Sequence, residues 1–209
     1  MRRLHIFAIV LTLLSGLLLV ESASAAVTLG DGGFELGNPN PYWSWRSSVL
    51  GASPILQWGP RRSGYYYANL GGACGGCGEV GKVGTWLPLP KKGSVTLVFY
   101  LLTDKRDSAG SDKLQVSMDG DKLLTIPETD SSYHSAYTEV SVNLDTYVDG
   151  GVHYLQVKGT DKSGGSTSFL IDYFYLIHDA IENGSMELDS DGDKVPDGWK
   201  VDSPSGKSK

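Results

Sequence analysis

The clearest pattern in the chain is a series of short segments in which apolar and polar residues alternate. Residues 94–102 are apolar at nearly every position, which is typical of a β-strand covered on both faces. Residues 113–117 alternate more cleanly, with every second side chain apolar. The Asp-Gly pair at 119–120 then predicts a type I′ hairpin turn into a strand over residues 122–126.

Further strands are indicated by the same alternation, at residues 65–70, 138–144, 152–159 and 169–177. Glycine-rich or polar turns separate them, and no segment after the first 25 residues shows a convincing helical period. Seven or eight strands within residues 26–180 match a two-sheet antiparallel β-sandwich in size and turn spacing. We therefore expect an all-β fold.

The first 25 residues read as a signal-peptide helix. Arg2 and Arg3 precede an apolar run over residues 6–20, and the small residues 23–25 fit a signal-peptidase site. The run is about 15 residues, shorter than the ~20 that a membrane-spanning helix needs. The mature chain is expected to be secreted or at the cell surface, with no membrane span after signal cleavage.

Composition narrows the choice of partners. The chain has a net charge of −6 and contains 27 glycines and 11 tyrosines. Nucleic-acid binding through a basic stripe is disfavoured by this charge. The glycines and tyrosines suggest many tight turns between strands that carry aromatic side chains.

One short sequence occurs twice, as GGFEL at residues 32–36 and GSMEL at residues 184–188, and a tryptophan follows each copy. This spacing predicts one β-rich domain over residues 26–180 and the start of a second module in residues 181–209. The last segment is below the ~40 residues at which unaided folding becomes difficult. It is expected to be an Asp-rich linker or a truncated module.

Several of these segments together resemble one family, the galactose-binding-like jelly-roll carbohydrate-binding modules of secreted bacterial proteins. The resemblance spans residues 30–178 and is carried by residues 32–35 with Trp43 and Trp45, residues 67–71 and 87–90, the hairpin at 119–120, and the closing Ile-Asp-Tyr-Phe at 171–174. It implies a jelly-roll sandwich and a carbohydrate ligand, a polysaccharide or a surface glycan.

The resemblance also implies a structural calcium ion beside Glu35 and Asp172. A jelly roll brings its first and last strands together, and a hard cation with oxygen ligands would clamp them. The alternative is that Glu35 is an exposed loop acid and Asp172 accepts a hydrogen bond at a strand end.

A second calcium prediction lies in the Asp-rich segment 189–199. Its carboxylates occupy relative positions one, three, five and nine of a calcium loop, at Asp189, Asp191, Asp193 and Asp197. Lys200 stands where a bidentate acid would complete the loop, so weak affinity is expected. The alternative is a solvated acidic turn between domains.

Cys74 and Cys77 form a Cys-x-x-Cys pair, which is compatible with a redox motif, half of a zinc site or a local disulfide. The surrounding glycines argue against the helix that a thioredoxin-type thiol needs. The histidines show no paired spacing that would complete a zinc site. A disulfide in an oxidising compartment is therefore the favoured state.

Aromatic residues are the candidate ligand surface, since a sugar presents an apolar face to an aromatic ring and hydroxyls to nearby polar groups. If Tyr66, Ala68 and Leu70 face the core, the alternate residues of that strand line an exposed face bordered by a loop. The candidate carbohydrate contacts are Tyr65, Tyr67, Asn69, Trp58, Arg61 and Arg62.

Sequence motifs for catalysis are missing. No Gly-x-Ser-x-Gly elbow or phosphate-binding loop occurs, and no pair of carboxylates is placed for glycoside hydrolysis. We expect a non-catalytic module that binds carbohydrate and uses calcium structurally. The alternatives are a surface adhesive module that contacts a protein or itself, and an accessory domain of an extracellular glycoside hydrolase.

Overall fold

The computed structural model describes residues 28–72, 77–105, 110–162 and 166–179, and ten β-strands in these ranges form two antiparallel sheets. The strands are β1 (Ser44–Ser47), β2 (Ile55–Gln57), β3 (Tyr66–Leu70), β4 (Glu79–Pro88), β5 (Ser94–Thr103), β6 (Lys113–Met118), β7 (Asp121–Pro127), β8 (Thr138–Asn143), β9 (Val152–Asp161) and β10 (Phe169–Asp179). The only helices in these ranges are two single 3₁₀ turns, Ser131–Tyr133 and Asp145–Tyr147. The all-β, two-sheet prediction is confirmed.

Each sheet has five strands. Sheet A has the order β1-β4-β9-β6-β7, and sheet B has the order β2-β3-β10-β5-β8. All the pairs are antiparallel, and only some join strands that are consecutive in the sequence. The chain therefore crosses repeatedly between the two sheets, as expected for a jelly roll.

The predicted hairpin is confirmed. Asp119 and Gly120 connect β6 to β7 and have φ angles of 53° and 96°. A type I′ turn needs a positive φ at both central residues, and glycine adopts this conformation readily. The Asp-Gly pair thus sets the register in which Met118 lies opposite Asp121, and a bulge between Val116 and Ser117 then shifts the pairing by one residue.

The core lies between the sheets and follows the alternation of the strands. Val95, Leu97, Phe99 and Leu101 of β5 are fully buried from the sheet B side, and Leu114, Val116 and Met118 of β6 meet them from sheet A. At one end of the core the Phe174 ring packs against Phe34, Trp43 and Phe99, with centroid distances of 5.8, 5.0 and 5.0 Å. These aromatic rings join the opening segment to the last strand.

Three strands, β1, β2 and β4, were not anticipated. β4 contains Gly81, Gly84 and Pro88, which are residues that usually mark turns. Gly81 is required because it packs on β3, where an added Cβ would lie 3.1 Å from the Leu70 Cα. Close approach of two backbones explains a glycine inside a strand.

The opening segment pairs with the last strand, since the Phe174 N–H donates to the Gly32 carbonyl oxygen at 2.8 Å. No helix in the described ranges is long and apolar enough to cross a membrane. The predicted signal peptide, the Asp-rich segment with Asp189, Asp191, Asp193 and Asp197, and Cys74 lie outside the described residues. The domain boundaries, the second calcium loop and the disulfide to Cys77 stay predictions.

Candidate functional site

The outer surface of sheet A is the most distinctive exposed face of the molecule. The strand register places outward side chains in rows, with Ser44 beside Gly84, Gly84 beside Gln156, and Trp86 beside Tyr154. We call this surface the sheet A face and define it by eight residues: Ser44, Arg46, Lys82, Gly84, Trp86, Tyr154, Gln156 and Lys158. The alternate residues of the same strands, such as Val83 and Leu155, lie in the core.

Trp86 and Tyr154 form an aromatic pair on this face. Trp86 is 65% exposed, and its ring centroid lies 4.9 Å from that of Tyr154 with a tilt of 53°. Tyr154 is held in place by its hydroxyl, which lies 2.9 Å from the Ser44 Oγ. Because the Ser44 hydroxyl donates to the Gly84 carbonyl oxygen, the Tyr154 hydroxyl is left to donate to Ser44.

A shallow groove of about 170 Å³ lies next to this aromatic pair. It crosses three strands, and its polar lining comes from hydroxyl, amide and cationic side chains: Ser44, Arg46, Lys82, Tyr154 and Gln156. Gly84 forms part of its floor. An exposed aromatic ring beside such donors and acceptors is an arrangement suited to a sugar, which has apolar ring faces and polar edges.

The candidate carbohydrate contacts predicted from the sequence lie on and beside β3, in the opposite sheet B. Of that group, Trp58 is 80% exposed and Tyr65 is 63% exposed, while Asn69 is partly buried. Tyr67 is only 5% exposed, so the expectation that it lines an exposed face is wrong. The loop after β2 covers it, since a Cβ at Gly59 would collide with the Tyr67 hydroxyl.

The two arginines of that group are engaged within the protein. Arg61 donates its Nε–H to the Gly64 carbonyl oxygen at 2.8 Å, inside its own loop. The Arg62 guanidinium lies 3.7 Å from the Tyr100 ring centroid and 4.4 Å from that of Tyr173. The structure therefore does not bring the six predicted contacts into one platform. Their role in sugar binding stays a prediction.

Around Arg62 lies a cluster of tyrosines on the outer face of sheet B. The hydroxyls of Tyr100 and Tyr175 both donate to the Glu139 carboxylate, at 3.0 and 3.4 Å. Tyr173 stacks edge-on against both rings, with centroid distances of 6.2 and 5.8 Å. The Glu139 carboxylate and two of the three tyrosine hydroxyls are thus paired with one another.

Glu35 and Asp172 hold the same loop from two sides. The Glu35 carboxylate accepts the backbone N–H groups of Tyr65 and Tyr66, with the shortest distance 2.9 Å. The Asp172 Oδ2 accepts those of Arg62 and Ser63, at 3.0 and 3.1 Å. The two carboxylates thus fix residues 62–66 against β10.

Asp172 has an unusual environment for a carboxylate. It is fully buried, and its Oδ1 has no hydrogen-bond partner. Burial raises the pKa of Asp172 to about 6, and the negative charge of nearby Glu35 adds to this, although the N–H groups of Ser63 and Arg62 oppose it. In the described ranges no three Asp, Glu, His or Cys side chains cluster as metal ligands would. Any cation at Asp172 would need ligands of other kinds as well.

Comparison with known proteins bears on the fold. No protein-family model matches the chain, and no curated protein matches its sequence. Among solved structures, TmCBM61 in complex with β-1,4-galactotriose has a TM-score of 0.53 at 18% identity, covering 73% of this chain and 99% of its own.

Two further structures are similar at lower scores. The CBM22-1 xylan-binding domain from Paenibacillus barcinonensis Xyn10C has a TM-score of 0.46 at 15% identity, covering 70% of this chain and 91% of its own. The Stig cyclase Fisc from Fischerella sp. TAU has a TM-score of 0.45 at 11% identity, covering 75% of this chain and 98% of its own.

At a TM-score of 0.53, TmCBM61 overlaps with most of the described sandwich and with nearly all of its own length. The chain therefore has a two-sheet antiparallel jelly-roll fold, which it shares with TmCBM61.

Proposed function

We propose that this protein is a secreted, non-catalytic carbohydrate-binding module whose ligand lies on the sheet A face. The observation that carries the proposal is the exposed Trp86–Tyr154 pair beside the groove. Trp86 is 65% exposed and lies against a second aromatic ring, and a contiguous exposed apolar patch of this kind is typical of a binding site. The signal-peptide pattern of the first 25 residues supports secretion.

The chemistry of the face supports binding over catalysis. Glycoside hydrolysis uses two carboxylates that flank the scissile bond. The outward positions of the five strands of sheet A, all of which lie in the described ranges, carry no Asp or Glu. Arg, Lys, Gln and Ser side chains hold and orient a sugar without providing a general acid or a nucleophile.

A matched pair of tryptophan variants tests the proposal. Trp86→Ala should lower affinity for a polysaccharide by about tenfold, since an aromatic contact of this kind contributes up to about 1.4 kcal/mol. Trp58→Ala should leave affinity unchanged, although Trp58 is even more exposed at 80%. Affinity electrophoresis against a panel of soluble plant and microbial polysaccharides measures both effects, and circular dichroism confirms folding.

The reverse result would place the site at the Trp58 loop and contradict our proposal. A panel without any binding, combined with concentration-dependent self-association in sedimentation experiments, would favour the adhesive alternative. The two outcomes differ because the first requires sugar binding and the second excludes it.

We further propose that a structural calcium ion binds at Glu35 and Asp172. Two observations support this proposal: the buried Asp172 Oδ1 has no hydrogen-bond partner, and both carboxylates bind the same loop, Asp172 at Arg62 and Ser63 and Glu35 at Tyr65 and Tyr66. Oxygen ligands of this type are those that calcium prefers. A bound cation would neutralise two like charges and hold residues 62–66 against β10.

Thermal unfolding with and without chelator tests the calcium proposal. Free calcium at one hundred times Kd should raise the midpoint by roughly 5–10 °C. Asp172→Asn should remove this dependence, whereas Asp104→Asn, a change at an exposed carboxylate, should retain it. An equal calcium response in the Asp172→Asn protein would refute the site.

A further inference from the structure

The whole outer surface of sheet A, which includes the sheet A face, is basic, although the chain has a net charge of −6. Five cationic side chains occupy outward positions of its strands: Arg46 on β1, Lys82 on β4, Lys158 on β9, Lys113 on β6 and Lys122 on β7. The outward positions of these strands include no acidic residue. Positive charge is therefore concentrated on one surface of an acidic protein.

Three of these cations form a continuous row. Arg46 lies opposite Lys82, and Lys82 lies opposite Lys158, on three neighbouring strands. Neighbouring strands are about 4.8 Å apart, so the three side chains emerge close together despite their like charge. Like charges at adjacent strand positions are destabilising. Their placement side by side calls for a compensating anion.

No acid of the described part of the protein compensates them. None of the five forms an ion pair within 4.0 Å, and the ion pairs that the described residues do form on this sheet involve His153 with Asp119 and Asp149. The buried acid of β4, Glu79, points to the opposite side and accepts a hydrogen bond from the Ser47 hydroxyl. Arg46 and Lys82 of the row thus line the groove without an acidic partner, and Lys158 lies beside them on the next strand.

The row and the aromatic pair lie on the same strands. Lys82 and Trp86 are four residues apart on β4, which is about 13 Å along a strand. Lys158 and Tyr154 repeat this spacing on β9. One extended ligand could therefore stack a ring on Trp86 and place negative groups over the cations.

We infer that the ligand is an acidic polysaccharide, a chain of sugar rings that carry carboxylate groups. This inference rests on the proposed function and specifies its ligand class. The aromatic pair recognises the ring face, which a simple polyanion lacks. Arg46 can bind a carboxylate in bidentate geometry, and the lysines act as point charges that accept carboxylates at several positions.

The test compares two forms of one polymer in the full-length protein. Polygalacturonate carries a carboxylate on each ring, and its methyl-esterified form has the same rings without the charge. Isothermal titration calorimetry should show at least about tenfold tighter binding of the acid form, and this preference should vanish near 1 M salt as screening removes the charge interaction.

Variants then assign the preference to the row. The double change Lys82→Gln and Lys158→Gln should weaken binding of the acid form by about tenfold and binding of the ester form by much less, so that the preference for the acid form is lost. Lys105→Gln, at an exposed lysine beyond the end of β5, is the matched control and should change neither. If the double variant is poorly folded, Arg46→Gln alone should give a smaller loss of the same sign.

The outcomes separate this inference from the proposed function. If the two forms bind with equal affinity and Trp86→Ala still loses binding, the inference of an acidic ligand is overturned and the proposal of a carbohydrate-binding module is retained. No binding to either form or to neutral glycans overturns both. Equally tight binding of single-stranded DNA, with the same salt dependence, overturns the sugar-specific inference in favour of a general polyanion surface.

Discussion

The Tyr154 ring lies directly over Gly84, in the space that a side chain at residue 84 would occupy. A Cβ at Gly84 would collide with the Tyr154 hydroxyl and lie 2.6 Å from Cζ and 3.0 Å from the Leu155 carbonyl oxygen. Glycine at this position of β4 therefore lets Tyr154 pack flat on the sheet and reach Ser44. The aromatic surface of the sheet A face depends on a residue that contributes no side chain.

This relationship predicts that Gly84→Ala weakens ligand binding by displacing Tyr154. Affinity should fall by about tenfold, as in Trp86→Ala, because the ring pair is lost. The midpoint of thermal unfolding should fall by a few degrees, since overpacking costs about 1–3 kcal/mol. Calorimetric titration and thermal denaturation measure the two effects.

Ser44→Ala provides the control for this prediction. It removes the hydrogen bond to Tyr154 but adds no atom, so the ring can stay in place and the loss of affinity should be smaller. A Gly84→Ala protein with wild-type affinity would show that the Tyr154 position does not matter for binding.

The aromatic end of the core gives a second prediction. Phe174 is 4% exposed and contacts the rings of Phe34, Trp43 and Phe99. Phe174→Ala should lower the free energy of unfolding by about 3–5 kcal/mol, the usual cost of removing a buried aromatic side chain. Urea denaturation measures it.

The neighbouring strand residue Ile177 is the control, because it is 52% exposed. Ile177→Ala should change the free energy of unfolding by about 0.5 kcal/mol or less. Similar decreases in the free energy of unfolding of the two variants would mean that the ring cluster contributes no more to stability than an exposed strand position does.

Much of the sandwich could be predicted from local alternation alone. β5 follows from a nearly continuous apolar run, β6 from apolar residues at every second position, and β7 from the Asp-Gly turn that precedes it. The parity of β3 was also correct, since Ala68 and Leu70 lie in the core and Tyr66 packs against it. Period two is a property of the strand itself and needs no tertiary information.

The candidate site was missed because its determinants are distant in sequence. Residues 82–87 alternate correctly, but Gly84 and Pro88 resemble turn residues until Tyr154 is known to cover Gly84. Tyr67 was assigned to an exposed face because the sequence does not show that the loop at Gly59 covers it. Which outward face remains open depends on loop packing, which strand patterns do not encode.

A third prediction concerns Asp161, which is buried at the end of β9 beside Asp112. Asp161 is 2% exposed and neither of its carboxylate oxygens has a hydrogen-bond partner. Burial and the Asp112 charge raise the pKa of Asp161 to about 6. The folded state therefore holds a proton more tightly than the unfolded state, whose Asp pKa is 3.8.

This raised pKa determines the sign of the pH effect. The contribution of Asp161 to stability is fully present below pH ~4 and is lost as the pH rises through about 6. Wild type should thus lose stability relative to Asp161→Asn between pH 4 and 7. At pH 7 the variant should be the more stable, by about 1 kcal/mol if its amide donates to the unpartnered Asp112 Oδ2.

Urea denaturation across this pH range, with chelator present so that calcium does not contribute, measures the difference. Parallel pH profiles for wild type and Asp161→Asn would contradict the prediction. Asp104→Asn, at an exposed carboxylate on another loop, should give a profile parallel to wild type.

The last prediction concerns His153, which lies between Asp119 at 2.7 Å and Asp149 at 3.0 Å. Hydrogen bonding to Asp119, with a further contribution from Asp149, raises the pKa of His153 above its ordinary 6.5. The hydrogen bond from the Tyr154 N–H, with that of His153, lowers the pKa of Asp119. A protonated His153 thus ties the β6–β7 turn to the loop before β9.

The stabilising effect of this ion pair is fully present below pH ~6.5 and is lost as the pH rises through the raised pKa of His153. At the acid end it is lost as the pH falls through the lowered pKa of Asp119. The free energy of unfolding of wild type should therefore fall relative to that of His153→Gln between pH 6 and pH 8, as measured by urea denaturation. A difference that stays constant over this range would show that His153 does not hold its charge between the two carboxylates.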